Sequence, residues 1–469
     1  MNNTLDRNNV EDIVGLSPMQ LGILYHYLSQ PESHCYVAQL SLSMDGDLDI
    51  PIFQQACNIV TKNNEMLRTI YRWEGLTNPV QIVLKDYQIP IVRYDYKDQS
   101  DVEESLDKIK KRIWSEKIDI SKHPVVIVLY VVNQKRVELI IQWHHILYDG
   151  WSNGLLIREL FTTYEDLKRG NVIQIQRKRK YRDFVKWCKA QDEEQQTTFW
   201  KNYLKGFIAK APLPTSPVFV QDQTREFSSY DFELPTDLLT KLDTFFKEQD
   251  STMAELVYTV WAILLCKLTG ASDVVFGITV SGRNAELGHI DNMIGLFINT
   301  LPLRVKLNEG SRVNEIITHI AELKRNWMKW ENTSLSKIRA CCELNPNETL
   351  FDSVVVVENY PLNMNPWLRN KEAELSIQSY EMKEITEFPL LLGVFLPHTN
   401  RLTIQYDSAK YTEETIRLVS DYVIQILRKI TSKPNTLLSE IELLLDEEKE
   451  EMLKEAQELI GFIDFDFSF

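Results

Sequence analysis

The sequence predicts a mixed α/β (α+β) protein of two lobes, on three observations. The chain has 469 residues, too many for one ordinary hydrophobic core and enough for two units of roughly 200 residues each. Alternating or β-branched runs that read as strands are interleaved with stretches of helical apolar periodicity. Both halves order these elements alike, as a duplicated lobe would, and no short-period internal repeat is present.

Composition narrows the function classes. The chain is 44% hydrophobic and 25% charged, the balance of a folded globular protein. No apolar run reaches the ~18 residues that a membrane span needs, and Met1 to Val10 is polar with no leader-like apolar core. The expectation is a cytoplasmic, monomeric protein without membrane contact. A formal charge of −15 argues against a nucleic-acid partner, because such proteins gain affinity by neutralising phosphates. The cysteines Cys35, Cys57, Cys188, Cys266, Cys341 and Cys342 show no CxxC spacing and no histidine at ligand-like offset, so reduced thiols and no metal site are expected.

In the first half, Ser17 is placed as an N-cap, Pro18 as the first helical residue and Gln20 as the partner of a capping box, opening a helix through Leu28. Val37 to Leu42 alternates as a strand. Pro51 to Lys62 puts Phe53, Ala56, Cys57 and Val60 on one helical face, and Asn63-Asn64 is expected to end that helix in the left-handed conformation. Met66 to Glu74 is expected to be an alternating strand carrying Arg68. Val125 to Val132 and Arg136 to Trp143 form a hairpin around Asn133-Gln134-Lys135.

That hairpin delivers the densest chemistry in the chain, His144-His145-Ile146-Leu147-Tyr148-Asp149-Gly150-Trp151-Ser152. Successive strand side chains point to opposite faces, so one histidine can face a cavity while its neighbour turns into packing. Asp149 either orients an imidazole, as a triad carboxylate does, or pairs with a distant arginine and fixes the loop. Gly150 permits a sharp turn, and Ser152 stands where an N-cap belongs, ahead of Leu155, Leu156, Leu160, Tyr164 and Leu167 at helical spacing. Gly170 marks the helix stop. The run Arg177-Lys178-Arg179-Lys180-Tyr181-Arg182 is the strongest basic cluster of an acidic chain, either a solvated face or a docking site for an acidic protein.

The second half restarts with a strand, Phe227 to Leu234, and a helix from Thr236. Thr252 and Glu255 make a capping box for a helix whose stripe of Leu256, Val257, Val260, Trp261, Leu264, Leu265 and Leu268 is core. Val274 to Val280 is an apolar strand, followed by the loop Ser281-Gly282-Arg283-Asn284. Asn299, amid apolar strand residues, is costly unless hydrogen bonded, so it satisfies a loop or touches ligand. A long helix over Val313 to Glu331, a buried strand in Leu350 to Pro361, a hairpin of Phe388 to Pro397 with Arg401 to Asp407, and a helix from Glu413 complete the lobe. Residues 446 to 460 read as a charged helix, and the Phe/Asp-rich end as a linker or an edge strand.

The string HHILYDGWS resembles the HHxxxDG signature of condensation domains of nonribosomal peptide synthetases, in the superfamily of chloramphenicol acetyltransferase. Further elements follow in the same order. Ser17 to His26 is similar to the family's SPMQxGMLFH opening, Leu67-Arg68-Thr69 to its LRT element, and Tyr181 to Trp187 to its YxDYxxW element. Ile294 to Arg304 is similar to IGxFxNTxPxR, and Leu350 to Pro361 to LFDxxxxxENYP. Asn63 and Asn64 depart from the family's Arg-His.

The resemblance implies two chloramphenicol-acetyltransferase-like lobes arranged as a pseudo-dimer, with a V-shaped cleft and a central tunnel. Residues 1–180 would form the N-terminal lobe, 181–445 the C-terminal lobe with a crossover near 281–300, and 446–469 a linker or tail. The implied reaction is amide bond formation between a donor acyl or peptidyl thioester and the amine of an acceptor aminoacyl thioester, of the L-donor to L-acceptor type. A starter role with a fatty acyl donor is also compatible. Both substrates would arrive on 4′-phosphopantetheine arms of donor and acceptor carrier domains, with neighbouring synthetase domains as partners and no cofactor bound by the domain itself. His145 would hydrogen bond the attacking amine or take its proton; on dipole and turn geometry, rather than on the resemblance, the Gly150 amide and the start of the Ser152 helix are expected to stabilise the oxyanion. His144, Asp149 and Arg68 would be structural, Arg68 as the partner of Asp149, while Trp151, Ser152, Ser281 and Asn299 would lie along the tunnel. Two other readings are an epimerisation domain, although its acidic and glycine-rich elements are not found, and a non-catalytic scaffold that recruits partners.

Overall fold

The computed structural model describes residues 6–443 apart from 32, 96–101, 134, 174–177, 208–209, 211–212, 214–225, 346–347, 358–374 and 396–399. In chain order the first half supplies β1 (Val10–Gly15), α1 (Pro18–Ser29), β2 (Val37–Gly46), α2 (Ile50–Asn63), β3 (Thr69–Arg72), β4 (Val80–Leu84), β5 (Ile91–Asp95), α3 (Val102–Ser115), β6 (Val125–Asn133), β7 (Arg136–His144) and α4 (Gly150–Lys168). The second supplies α5 (Tyr181–Lys189), α6 (Glu193–Leu204), β8 (Phe227–Glu233), α7 (Thr236–Gln249), α8 (Met253–Thr269), β9 (Asp273–Val280), β10 (Asn299–Lys306), α9 (Val313–Trp327), α10 (Leu335–Ala340), β11 (Ser353–Val357), β12 (Leu375–Glu384), β13 (Leu390–Val394), β14 (Arg401–Asp407) and α11 (Glu413–Ser432).

Two large sheets carry the two cores. The first has the order β12-β2-β7-β6-β5 and the second β10-β9-β11-β13-β14-β8, while β1-β4-β3 forms a small third sheet. Helix α8 shows why a helix can be apolar on nearly every side. Leu256 through Cys266 are all buried, so this helix is the centre of the second core rather than an amphipathic cover. Its capping box, Thr252 with Glu255, forms as the sequence predicts, and so does that of Ser17 with Gln20 at α1.

Strand β12 comes late in the chain yet pairs antiparallel with β2, from Leu375 opposite Gly46 to Glu384 opposite Ala38. It is an edge strand of the first sheet, and Leu375 and Ile377 are buried in the first core together with Tyr181, Phe184, Leu296 and Phe297. The first sheet and core are therefore completed from the second half of the sequence in three places.

Several sequence expectations are corrected locally. Met66 to Arg68 is part of a 3-10 turn, Glu65–Arg68, and the strand begins at Thr69. The turn is closed by the Leu67 N–H on the Asn64 carbonyl at 3.1 Å and by the Thr69 hydroxyl on the Glu65 carbonyl at 2.8 Å. Asn64 is extended, with φ −121°, and its side-chain amide donates to the carbonyl of Val60 at 2.8 Å, so the helix end is capped by a side chain rather than by a left-handed residue. The long helix from Val313 ends at Trp327 and passes into a 3-10 turn, Met328–Trp330. The tail 446–469, residues 358–361, Gln134, Arg177 and the turn residues His398 and Thr399 lie outside the described residues.

Because β12 is part of the first core, Ile377→Ala should cost about 2–5 kcal/mol, the range for truncating a fully buried aliphatic side chain. Urea unfolding followed by the fluorescence of the buried tryptophans checks this. An effect below ~1 kcal/mol would mean that β12 is only laid on the surface.

Candidate active site

The hairpin β6–β7 and its neighbour β2 set the position of the two histidines. His144 is the last residue of β7, opposite Val37 of β2, and its N–H donates to the carbonyl of Pro124. The His145 N–H donates to the carbonyl of Tyr36 at 2.7 Å, and Tyr36 holds a left-handed φ of 66°, an unusual state for a bulky residue. The histidines then part as strand alternation requires. His144 is buried against the edge of the Tyr27 ring and its Nδ1 accepts from the Ile146 N–H. Burial, with His145 beside it, pushes its pKa down to about 3, so it is a neutral scaffold residue. His145 turns the other way, against Trp143.

On that side His145 meets a residue from the far end of the chain. Its Nε2 is 3.0 Å from Oε2 of Glu384, the last residue of β12. An ionised carboxylate only accepts, so the imidazole donates from Nε2. Its Nδ1 is buried without a hydrogen-bond partner among the described residues.

Asp149 is fully buried and is the most heavily bonded carboxylate of the site. Oδ1 accepts from the Ser152 N–H at 2.9 Å and from Nη2 of Arg283 at 3.1 Å. Oδ2 accepts from the amides of Phe297 and Ile298 at 2.9 and 3.3 Å. Arg283 uses Nη1 on the carbonyls of Ile290 and Met293, and its guanidinium lies 4.2 Å from the centre of the Phe297 ring. The preceding Gly282 has φ 63°, and a Cβ there would sit 1.8 Å from the Phe297 carbonyl oxygen. Only glycine fits.

This geometry corrects the expected partner of Asp149, which is Arg283 and not Arg68. Arg68 closes its 3-10 turn beside the small sheet, where Nη1 pairs with Glu11 of β1 at 2.6 Å and reaches the Leu84 carbonyl. Lys180 holds the other oxygen of Glu11 at 3.0 Å. Burial raises the Glu11 pKa, but the two cations outweigh it and hold the carboxyl below its usual range.

Ser152 is not the N-cap. Asp149 caps α4, and Gly150, its first residue, has no left-handed φ. The buried Ser152 hydroxyl donates to the Gly295 carbonyl at 2.8 Å and accepts from the Gly295 N–H and from Arg283, so its hydrogen-bonding capacity is spent within the protein. Asn299 is likewise spent. Its amide donates to the carbonyls of Glu331 and Thr333, both at 2.7 Å, and its oxygen accepts from the Thr300 N–H. Trp151 is partly exposed, with Nε1 on the Asp291 carbonyl, and Ser281 is exposed at the start of the Gly282 loop.

The model of the condensation domain family matches residues 10–453. The chain belongs to the condensation domain family. It is 31% identical over 456 residues to one of the linear gramicidin synthase proteins of Brevibacillus parabrevis, covering 96% of this chain and 9% of that one. The chain therefore spans under a tenth of the length of that synthetase. Among solved structures it is similar to the first condensation domain of the calcium-dependent antibiotic synthetase in complex with a substrate analogue, with TM-score 0.75 and 17% identity over 93% of this chain and 100% of that one. It is also similar to the X-domain from teicoplanin biosynthesis, with TM-score 0.76 and 19% identity over 94% and 99%. The fold is thus that of condensation domains, with two lobes of the chloramphenicol acetyltransferase type.

Where this condensation domain departs from the family's Arg-His, Asn63 and Asn64 both bind Glu159 of α4, and Lys178 joins Asn64 and Glu159. The described part of the basic run is also paired, although Arg179 and Lys180 stay exposed. Arg179 donates to the Gly288 carbonyl and Arg182 pairs with Asp12 at 2.7 Å, so these cations tie the run to β1 and to the loop after β9. Among the described residues, no group of three His, Cys, Asp or Glu side chains is arranged to hold a metal, and no single helix is long and apolar enough to cross a membrane.

Glu331, whose carbonyl anchors Asn299, also takes the Asn284 amide on its carboxylate at 2.9 Å. Burial lifts its pKa to about 7, against the opposing pull of Asn284 and Lys324. The unfolded carboxyl releases its proton near ~4.3 while the folded one keeps it to about 7, so the folded state binds more protons in that window and stability falls as pH rises through it. Glu331→Gln should flatten this slope. Urea unfolding at pH 5 and pH 8 checks it, and an unchanged difference between the two would remove Glu331 as its source.

Proposed function

We propose that this domain joins a donor acyl or peptidyl thioester to the amine of an acceptor aminoacyl thioester. Both would be presented on phosphopantetheinyl carrier domains, in the L-donor to L-acceptor sense that the HHILYDGWS and GLFINTLP strings favour. The observation that carries the reading is the site itself: His145 follows the end of β7, is separated from a neutral His144, and sits on a loop fastened by Asp149. In the reaction the amine nitrogen forms a bond to the thioester carbon, the C–S bond breaks, and a proton from nitrogen ends on the leaving thiolate.

A thioester is already activated, so most of the acceleration comes from holding two arms in register, where effective molarity supplies several kcal/mol. Hydrogen bonding or proton transfer at His145 and the carboxylate of Glu384 that it holds adds a factor of ~10²–10⁴. The start of α4 at Gly150 directs its positive end toward the loop and favours a developing oxyanion. The donor and acceptor carriers and the neighbouring synthetase domains are the partners that this reaction requires.

A second reading, a scaffold that recruits partners without chemistry, draws on one observation. Nε2 of His145 is engaged by Glu384, so the ring nitrogen on that side is not an open base. Single-turnover amide formation between an aminoacyl-loaded donor carrier and an aminoacyl-loaded acceptor carrier separates the two. The wild type should give amide, and His145→Ala should lose at least ~10²-fold in rate. No amide with any donor, from folded protein that binds carriers, would overturn the catalytic reading.

A further inference from the structure

Residues 384–387, at the end of β12 and just beyond it, lie along the histidine loop. The Tyr36 N–H donates to the Ile385 carbonyl at 2.7 Å, while the Tyr36 carbonyl receives His145. Two carboxylates of this segment meet histidines, Glu384 at His145 and Glu387 at His26. Glu387 also bonds the Tyr36 phenol.

Of the acidic groups around the motif, Glu384 alone among the described residues combines contact with His145 and an open oxygen. Its Oε2 is on Nε2 of His145, Oε1 has no partner among the described residues, and the side chain keeps 28% of its surface exposed. Asp149 has no exposed surface and four donors on it. Lys383, the neighbouring cation, points to the opposite face, where its ammonium lies 4.3 Å from the centre of the Trp114 ring, and does not pair with Glu384.

We propose that the carboxylate of Glu384, held by the imidazole of His145, is the group that binds the α-ammonium of the acceptor and takes its first proton. This rests on the condensation reading and names the amine-binding residue within it. An acceptor amine arrives largely protonated, and an open carboxylate oxygen attracts that charge, whereas the His145 Nε2 is already turned to Glu384 and offers it no acceptor. The ammonium gives one proton to Glu384, and the free amine then attacks the thioester carbon. The C–N bond forms, the C–S bond breaks with its electron pair on sulfur, and the second nitrogen proton goes to the thiolate. The proton on Glu384 is released to solvent, so the sum is thioester plus ammonium to amide, thiol and one proton. His145 acts in this scheme by aiming the carboxylate.

The test separates binding from turnover. Alanyl-pantetheine amide, a non-reacting acceptor mimic, and its desamino counterpart, propionyl-pantetheine amide, are titrated into the intact domain by calorimetry. The wild type should prefer the amine-bearing ligand by at least about tenfold, the scale of a charge-assisted contact. Glu384→Gln keeps the shape and an acceptor for Nε2–H but removes the charge, and should bind the two ligands alike. Glu384→Asp should recover part of the preference. Equal binding of both ligands by the wild type would overturn the proposal without any variant, as would an undiminished preference in Glu384→Gln. In the carrier assay, Glu384→Gln should raise the KM for the acceptor while Tm stays near the wild-type value. If the wild type forms no amide yet prefers the amine through Glu384, the catalytic reading fails and the amine site stands. If it forms amide and Glu384→Gln matches it in KM, the amine site fails and the catalytic reading stands.

Discussion

A single buried carboxylate, Asp149, fastens the histidine loop to two segments of the second half of the chain. Taking an ionised carboxylate out of water costs several kcal/mol unless its lone pairs are filled and a counter-charge is close. Here four donors, the Arg283 guanidinium among them, meet those demands. They come from three places, the first turn of α4, the loop after β9 and the stretch that leads into β10, so the charge is satisfied only when all three are assembled. Removing the arginine leaves a buried charge, and removing the aspartate leaves a buried guanidinium over Phe297. The histidine loop inherits its rigidity from this pairing.

The second half of the chain reaches the loop from two sides. From one side residues 282–298 deliver Arg283 and the backbone of Gly295 and Phe297 to Asp149 and Ser152. From the other, β12 extends the first sheet and brings Glu384 to His145. The two histidines divide the labour between these contacts. His144, neutral and packed on Tyr27, keeps the strand end in the core, and His145 is left to the polar side. The close passage of Gly282 under the Phe297 carbonyl makes the first of these approaches possible.

Much of this is legible in the residues and some is not, for identifiable reasons. The strand–loop–helix context of the His144-His145 pair, the capping boxes of α1 and α8, and the hydrogen-bonding demand of Asn299 follow from local rules that act within a few residues. The partners of Asp149 and His145 lie 134 and 239 positions away, where no local rule reaches, and several arginines compete for one aspartate. Arg68 stands out among them because it falls in a recognisable string, yet its turn faces Glu11. The glycine and arginine side by side after β9 are the available signal for Arg283, since a left-handed glycine beside a cation marks a close approach. Strand β12 carries its buried apolar residues only at its start, and Tyr380, Glu381 and Lys383 give it the look of a loop, as edge strands often have.

The claim that the loop depends on the Asp149–Arg283 contact is tested most directly by a double-mutant cycle. Unfolding free energies of Asp149→Asn, Arg283→Gln and the pair are measured in urea against the wild type. Each single change should cost about 3–5 kcal/mol, the range for breaking a buried ion pair, and the double change should cost less than the sum by a coupling of about 1–3 kcal/mol. Strict additivity, or single costs below ~1 kcal/mol, would contradict the account and return Asp149 to the role of an ordinary helix cap.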